Sequence, residues 1–217
     1  MIPEINVFYS KIDSDLNDFQ ITAWERAEIA QINRCWSGQL APPARHATAR
    51  LLWSDRALFV RFDCTQIEPF VLNHNPQLNN KTPRLWERDV CELFFAPDAQ
   101  RPEHYFEFEV APTGEWLDLS VHQFADKRET DWNYCSKMKT SAQRRAEDFT
   151  IMFQIPWEDL GGQPDDDSVR RGNLFRCVGD GETRGYLAWQ PTLTEHPNFH
   201  VPSVFGQFKF VRNQKPD

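Results

Sequence analysis

The run His104-Tyr105-Phe106-Glu107-Phe108-Glu109-Val110 alternates strictly between two kinds of side chain. Only a period of two puts Phe106, Phe108 and Val110 together on one side and Tyr105, Glu107 and Glu109 on the other, which is the signature of a β-strand between unlike surroundings. Similar short runs recur along the chain. Leu51-Leu52-Trp53 and residues 57–64 flank Ser54-Asp55-Arg56, a tight hairpin turn. Pro112-Thr113-Gly114-Glu115 bends the alternating run back into a strand at residues 116–121. Residues 137–141 with 149–155, then 174–178, 186–189 and 205–211, supply further strands. Pro156 to Gly162 reads as one helical turn with proline at its start and glycine after its end. Residues 24–32 fit helical propensity and a period of two equally well. Short strands punctuated by 15 prolines predict an all-β fold, a two-sheet antiparallel β-sandwich with a few short helical turns.

The 217 residues, 40% apolar, suffice for one compact domain, and no linker or repeat divides them, so a single domain over 1–217 is expected. The formal charge of −8, with 24 Lys and Arg against 32 Asp and Glu and no basic stripe, argues against nucleic acid and anionic membranes as partners. Residues 1–10 carry no basic start followed by an apolar core, so no export signal is expected and a cytoplasmic setting is favoured over an extracellular one. Five widely spaced cysteines without a C-x-x-C pair read as free thiols. No nucleotide-binding, serine-hydrolase or zinc-peptidase motif occurs, so catalysis has no positive support.

The chemistry concentrates in Leu85-Trp86-Glu87-Arg88-Asp89-Val90-Cys91-Glu92-Leu93-Phe94-Phe95. Taken as one strand, it projects Trp86, Arg88 and Glu92 from the same face. A ring beside a carboxylate suits a polar ligand with a flat apolar side, and sugars are the commonest such objects. The long polar connection over residues 65–83 delivers the chain to Trp86, as functional loops often do. Trp53, Trp116 and Trp157 read as core. Glu92, Glu107, Glu109 and Asp118 fit a solvated sheet face, a ligand cradle or an acid and base pair for glycoside cleavage. His196 and His200 are separated by Pro197 and Asn198, so a helical metal face is not expected; His200 instead rims a pocket or ties down its loop.

Together, Trp86-Glu87-Arg88-Asp89-Val90-Cys91-Glu92-Leu93-Phe94, Tyr105-Phe106-Glu107-Phe108-Glu109-Val110 with Pro112-Thr113-Gly114, and Trp189 followed by Phe199-His200-Val201-Pro202 and Phe205-Gly206 resemble the family 9 carbohydrate-binding modules, within the wider group of DOMON-like sandwiches. The resemblance runs from about residue 5 to residue 211. It implies non-catalytic binding of a mono- or oligosaccharide gripped between two tryptophans, whose positions Trp86 and Trp189 match. Glu92 matches the carboxylate that bonds sugar hydroxyls, with Arg88, Glu109 and His200 as secondary contacts. Where the family's pattern has a basic residue on the next strand, this chain has Glu109. Two carboxylates facing one pocket favour a cation, an amino sugar or a shared proton. No cofactor is expected; structural calcium occurs in such modules, although no loop here matches a calcium site. DOMON-like sandwiches also include haem-binding redox domains, where Met, His or Lys ligands hold the iron, and Met138 and Met152 lie on the strand pair after the acidic strands as candidates for that alternative. A carbohydrate-active hydrolase, or an accessory subunit of one, is the remaining alternative.

Overall fold

The computed structural model describes residues 2–11, 16, 18–19 and 22–212; the ends of the expected 1–217 domain lie outside them. Strands β1 (Glu4–Tyr9), β2 (Ala30–Ile32), β3 (Arg34–Cys35), β4 (Ala47–Trp53) and β5 (Ala57–Thr65) form the first part of the chain. After the long loop come β6 (Val90–Ala96), β7 (His104–Val110), β8 (Trp116–Gln123) and β9 (Arg128–Asp131). Then follow β10 (Lys139–Arg144), β11 (Asp148–Pro156), β12 (Val169–Val178), β13 (Gly185–Ala188) and β14 (Gly206–Val211). The only helical elements among the described residues are short 3-10 turns, so the all-β expectation holds. The ambiguous 24–32 segment divides: Thr22–Arg26 is a 3-10 turn and Ala30–Ile32 is strand β2.

The strands join in the order β10-β11-β5-β4-β1-β14-β12-β6-β7-β8-β9. That path curls on itself. Val60, Phe62, Ile151 and Phe153 from one end share a core with Leu93, Phe95, Phe108 and Phe208 from the other, an arrangement consistent with a β-sandwich. Each of these side chains stabilises the fold by about 1.5–3 kcal/mol on burial. Phe62 stacks on Phe153 at 6.1 Å and Phe95 on Phe208 at 6.3 Å. Trp53 and Trp157 meet edge to face at 6.4 Å in the same core, as expected.

The sheet is mixed rather than antiparallel throughout. β1 runs parallel to both of its neighbours, with Phe8 opposite Leu52 of β4 and opposite Val211 of β14. Close packing at the centre requires glycine at 172. A Cβ there would lie 2.3 Å from the Phe94 carbonyl oxygen and 2.4 Å from the Phe208 ring.

The other face of the β6, β7, β8 and β12 region holds a second apolar cluster, which includes Leu85, Val90, Phe94, Tyr105, Leu119 and Phe175. Alternation assigns the faces. Val90, Glu92 and Phe94 point to this second side, and Cys91, Leu93 and Phe95 to the main core. Tyr105, Glu107 and Glu109 likewise share the second side. Asp118 does not join them, because it pairs across from Phe108 and therefore faces the main core. There Lys81 Nζ meets its Oδ1 at 2.6 Å and the Ser136 amide donates to its Oδ2 at 2.6 Å.

Candidate functional site

The strand expected over residues 85–95 begins only at Val90. Leu85–Glu87 is a 3-10 turn entered through Arg84, whose φ of 60° and ψ of 35° are left-handed. Asp89 sets the boundary. Fully buried, its carboxylate accepts from the Val71 amide at 2.9 Å, the Gly179 amide at 2.9 Å and Gln66 Nε2 at 2.6 Å. Three donors satisfy the charge and tie the long loop, β6 and the end of β12 to one point. Arg184 completes the clamp: its guanidinium donates to the carbonyls of Trp86, Arg88 (2.7 Å) and Gly179 (2.6 Å). Trp86 thus reaches the second side of the sheet from a turn held by its backbone, and from there it faces the same space as Glu92.

That space is a cavity of about 280 Å³. Its floor is the sheet, with Glu92 on β6, Glu107 on β7, Leu119 on β8 and Cys177 on β12. One wall carries Trp86 and Trp132, whose ring centroids are 6.1 Å apart at an interplanar angle of 50°. Tyr186 and the segment Pro197-Asn198-Phe199-His200 form another, and Arg128 and Thr130 of β9 stand at the remaining side. Trp132 is 49% exposed.

Of the expected site residues, Trp86, Glu92 and His200 meet here. Trp189 does not line the cavity. It stacks on Phe208 at 5.6 Å against the main core, over Gly206, where a Cβ would strike its indole at 2.4 Å. The aromatic partner of Trp86 is therefore Trp132. Two rings 6.1 Å apart are already in contact and leave no room for a sugar between them, so they form one tilted shelf rather than two jaws. Arg88 also lies off the cavity, joined to the site through its carbonyl. Glu109 sits directly across from Glu92 in the β6–β7 register, on the same side of the sheet but fully buried and not among the residues that line the cavity.

The reading of the acid groups as a solvated face fails on burial. Glu92, Glu107 and Glu109 are 2%, 4% and 0% exposed, since loops and aromatic walls cover this side of the sheet. Burial is the main force that raises all three carboxyls, Glu92 to about 8 and Glu107 to about 7 from an ordinary 4.5, with Glu109 well above it. Glu107 adds to the rise at Glu92, and both add to it at Glu109. The Glu107 and Glu109 carboxyls approach within hydrogen-bonding reach, a contact that binds only when one of them carries a proton. The Cys177 thiol donates to Glu92 Oε1 at 3.3 Å. Glu92 and Glu107 both rise from the sheet floor on neighbouring strands, whereas glycoside cleavage uses carboxyls that flank the bond from two sides.

His200 stands over Phe94 at 5.2 Å and meets the Tyr105 hydroxyl at 2.7 Å through Nδ1. Burial, aided by Arg128, lowers its pKa to about 3, so the ring is neutral. The Tyr105 O–H then donates to Nδ1, which leaves the proton of the imidazole on Nε2. The two methionines of the haem alternative part company: Met138 belongs to the main core, and Met152 packs with Phe59 and Trp24 in a third cluster.

Sequence reasoning passed over Trp132 and Arg128. A signal existed: Trp132 follows the polar run Arg128-Glu129-Thr130-Asp131, with Tyr134 the one ring near it. Arg128 on β9 places a basic group at the rim of the cavity.

A family model described as "Carbohydrate family 9 binding domain-like" matches residues 12–213. Among solved structures, a "putative carbohydrate-binding protein" from Bacteroides uniformis ATCC 8492 superposes with a TM-score of 0.75 at 16% identity, covering 97% of this chain and 100% of that one. A carbohydrate binding module family 9 from Caldicellulosiruptor kristjanssonii in complex with cellotriose gives 0.66 at 16% identity, over 97% and 95% of the two chains. The module of the same description in complex with glucose gives 0.67 at 18%, over 99% and 98%. At these identities the likeness is one of fold. No curated protein matches the chain.

Proposed function

Since this chain belongs to the carbohydrate family 9 binding domain-like family, we propose that its acid-floored aromatic cavity binds a short carbohydrate. The observation that carries this reading is the meeting of the Trp86–Trp132 shelf with Glu92 in one open pocket. An indole shelf covers the axial C–H face of a pyranose, a contact water serves poorly. Glu92, the neutral His200 and the rim guanidinium of Arg128 offer both donors and acceptors to the hydroxyls around the ring edge. At about 280 Å³ the cavity lies at the foot of the roughly 300–1,000 Å³ range of small-molecule sites, which suits one or two sugar rings. The ligand class agrees with the cellotriose and glucose held by the Caldicellulosiruptor kristjanssonii modules.

A site this small and open binds in the micromolar to millimolar range, about −4 to −8 kcal/mol. Titration calorimetry against glucose, cellobiose, xylobiose and chitobiose tests it. Trp86→Ala and Trp132→Ala each weaken binding by about tenfold or more, whereas Trp189→Phe stays within about twofold. Silence across the whole panel, or a loss confined to Trp189→Phe, refutes the assignment.

A further inference from the structure

The floor of the cavity is short of hydrogen-bond donors. Glu107 lines the cavity, and its Oε2 is buried without a donor; His200 Nδ1, 4.0 Å away, is uncharged and already engaged with Tyr105. Behind it, Glu109 has the Trp86 backbone amide and the proton it can share with Glu107, and Glu92 has only a thiol. Two guanidiniums stand near these three carboxyls. Arg184 commits its N–H groups to the carbonyls of Trp86, Arg88 and Gly179, and Arg128 lies exposed at the rim. With all three carboxyls ionised, one further cation at the floor would balance the charges.

We infer that the ligand is an aminated sugar, a pyranose whose ammonium group sits over Glu92 and Glu107 while its apolar face lies on the Trp86–Trp132 shelf. This deepens the carbohydrate reading above and rests on it. An ammonium offers three N–H donors and no acceptor, which matches a floor of acceptors better than a hydroxyl does. The indoles add attraction, because the π-face of tryptophan draws a nearby cation. Without such a ligand, the floor remains neutral by holding protons. The groups that face these carboxyls are Tyr105 on β7, Cys177 on β12, Arg128 on β9, and Arg184 and His200 on the covering loops. Tyr105, Cys177 and His200 are uncharged at neutral pH, so a proton released on binding leaves to solvent. The balance is simple: the ammonium arrives charged, a carboxylic acid loses its proton, and a carboxylate–ammonium pair remains.

The test is calorimetry of the unmodified protein with glucose, glucosamine and N-acetylglucosamine at about pH 6.5, in two buffers of different ionisation enthalpy. Glucosamine binds about tenfold or more tightly than both neutral sugars and releases about one proton per ligand, while glucose releases none. Glu107→Gln, checked for an unchanged circular dichroism spectrum, brings the glucosamine-to-glucose ratio to within about twofold. If glucose binds and glucosamine binds no tighter, the amine is wrong and the sugar site stands. If none of the three binds, both readings fall. A preference that survives intact in Glu107→Gln also overturns the inference.

Discussion

Glu92 and His200 share one cavity and pull the pH dependence of stability in opposite directions. A carboxyl whose folded pKa lies above its unfolded one holds its proton longer in the folded state, so its contribution is complete at low pH and is lost as pH rises to the folded value. For Glu92 and Glu107 that decline runs from about 4.5 up to about 8 and about 7. His200, lowered from 6.5 to about 3, stabilises above 6.5 and loses that contribution as pH falls toward 3. Two declining carboxyls outweigh one rising imidazole. Thermal melts are therefore expected to give a higher Tm near pH 5.5 than near pH 8, with a smaller difference in Glu92→Gln; equal Tm values at the two pH values would contradict the burial argument. The acid residues were legible from alternation alone, since Glu107 and Glu109 could only share a face. Their burial was not, because it depends on loops and walls far away in sequence.

The 3-10 turn Leu85–Glu87 shows how an element can end where its pattern continues. Residues 85–95 alternate well enough to pass for one strand, but Asp89 needs three donors, and only a chain that stops pairing at this point can bring them in. Removing that carboxylate leaves the Val71 and Gly179 amides and Gln66 without their acceptor. Asp89→Ala is expected to cost about 3 kcal/mol in denaturant unfolding, and Asp89→Asn less. An alanine variant as stable as the parent would show that the junction holds without it. The hairpins at 54–56 and 112–115 were readable because their turn residues act locally. Strand β9 left little trace: its four residues are largely exposed and polar, so neither a core face nor the Trp132 that follows it announced a pocket wall.

At the scale of the whole molecule, the curled sheet brings Cys64 of β5 and Cys91 of β6 face to face in the core, Sγ to Sγ 3.4 Å. They are 27 positions apart and far from each other in strand order, so a bond between them would clamp the two halves of the curl. Burial holds the Cys91 thiol protonated and out of reach in the folded chain; refolding in the presence of diamide is expected to form that disulfide, seen as the loss of two hydrogens by intact mass, and to raise stability by about 3 kcal/mol through loop closure in the unfolded chain. A disulfide that forms and lowers Tm would show that the core cannot accept the shift. Likewise, parallel pairing of β1 with β4 and β14 had no sequence signature, because pairing between distant segments depends on no local residue pattern. The pairing has a consequence for biosynthesis. β1 meets partners in β14 roughly two hundred positions downstream, among the most non-local contacts a chain of this size can make. As the chain emerges from the ribosome, β1 must wait with one edge open until β14 has been translated, and in that interval a chaperone or a neighbouring nascent chain has its best chance to intervene.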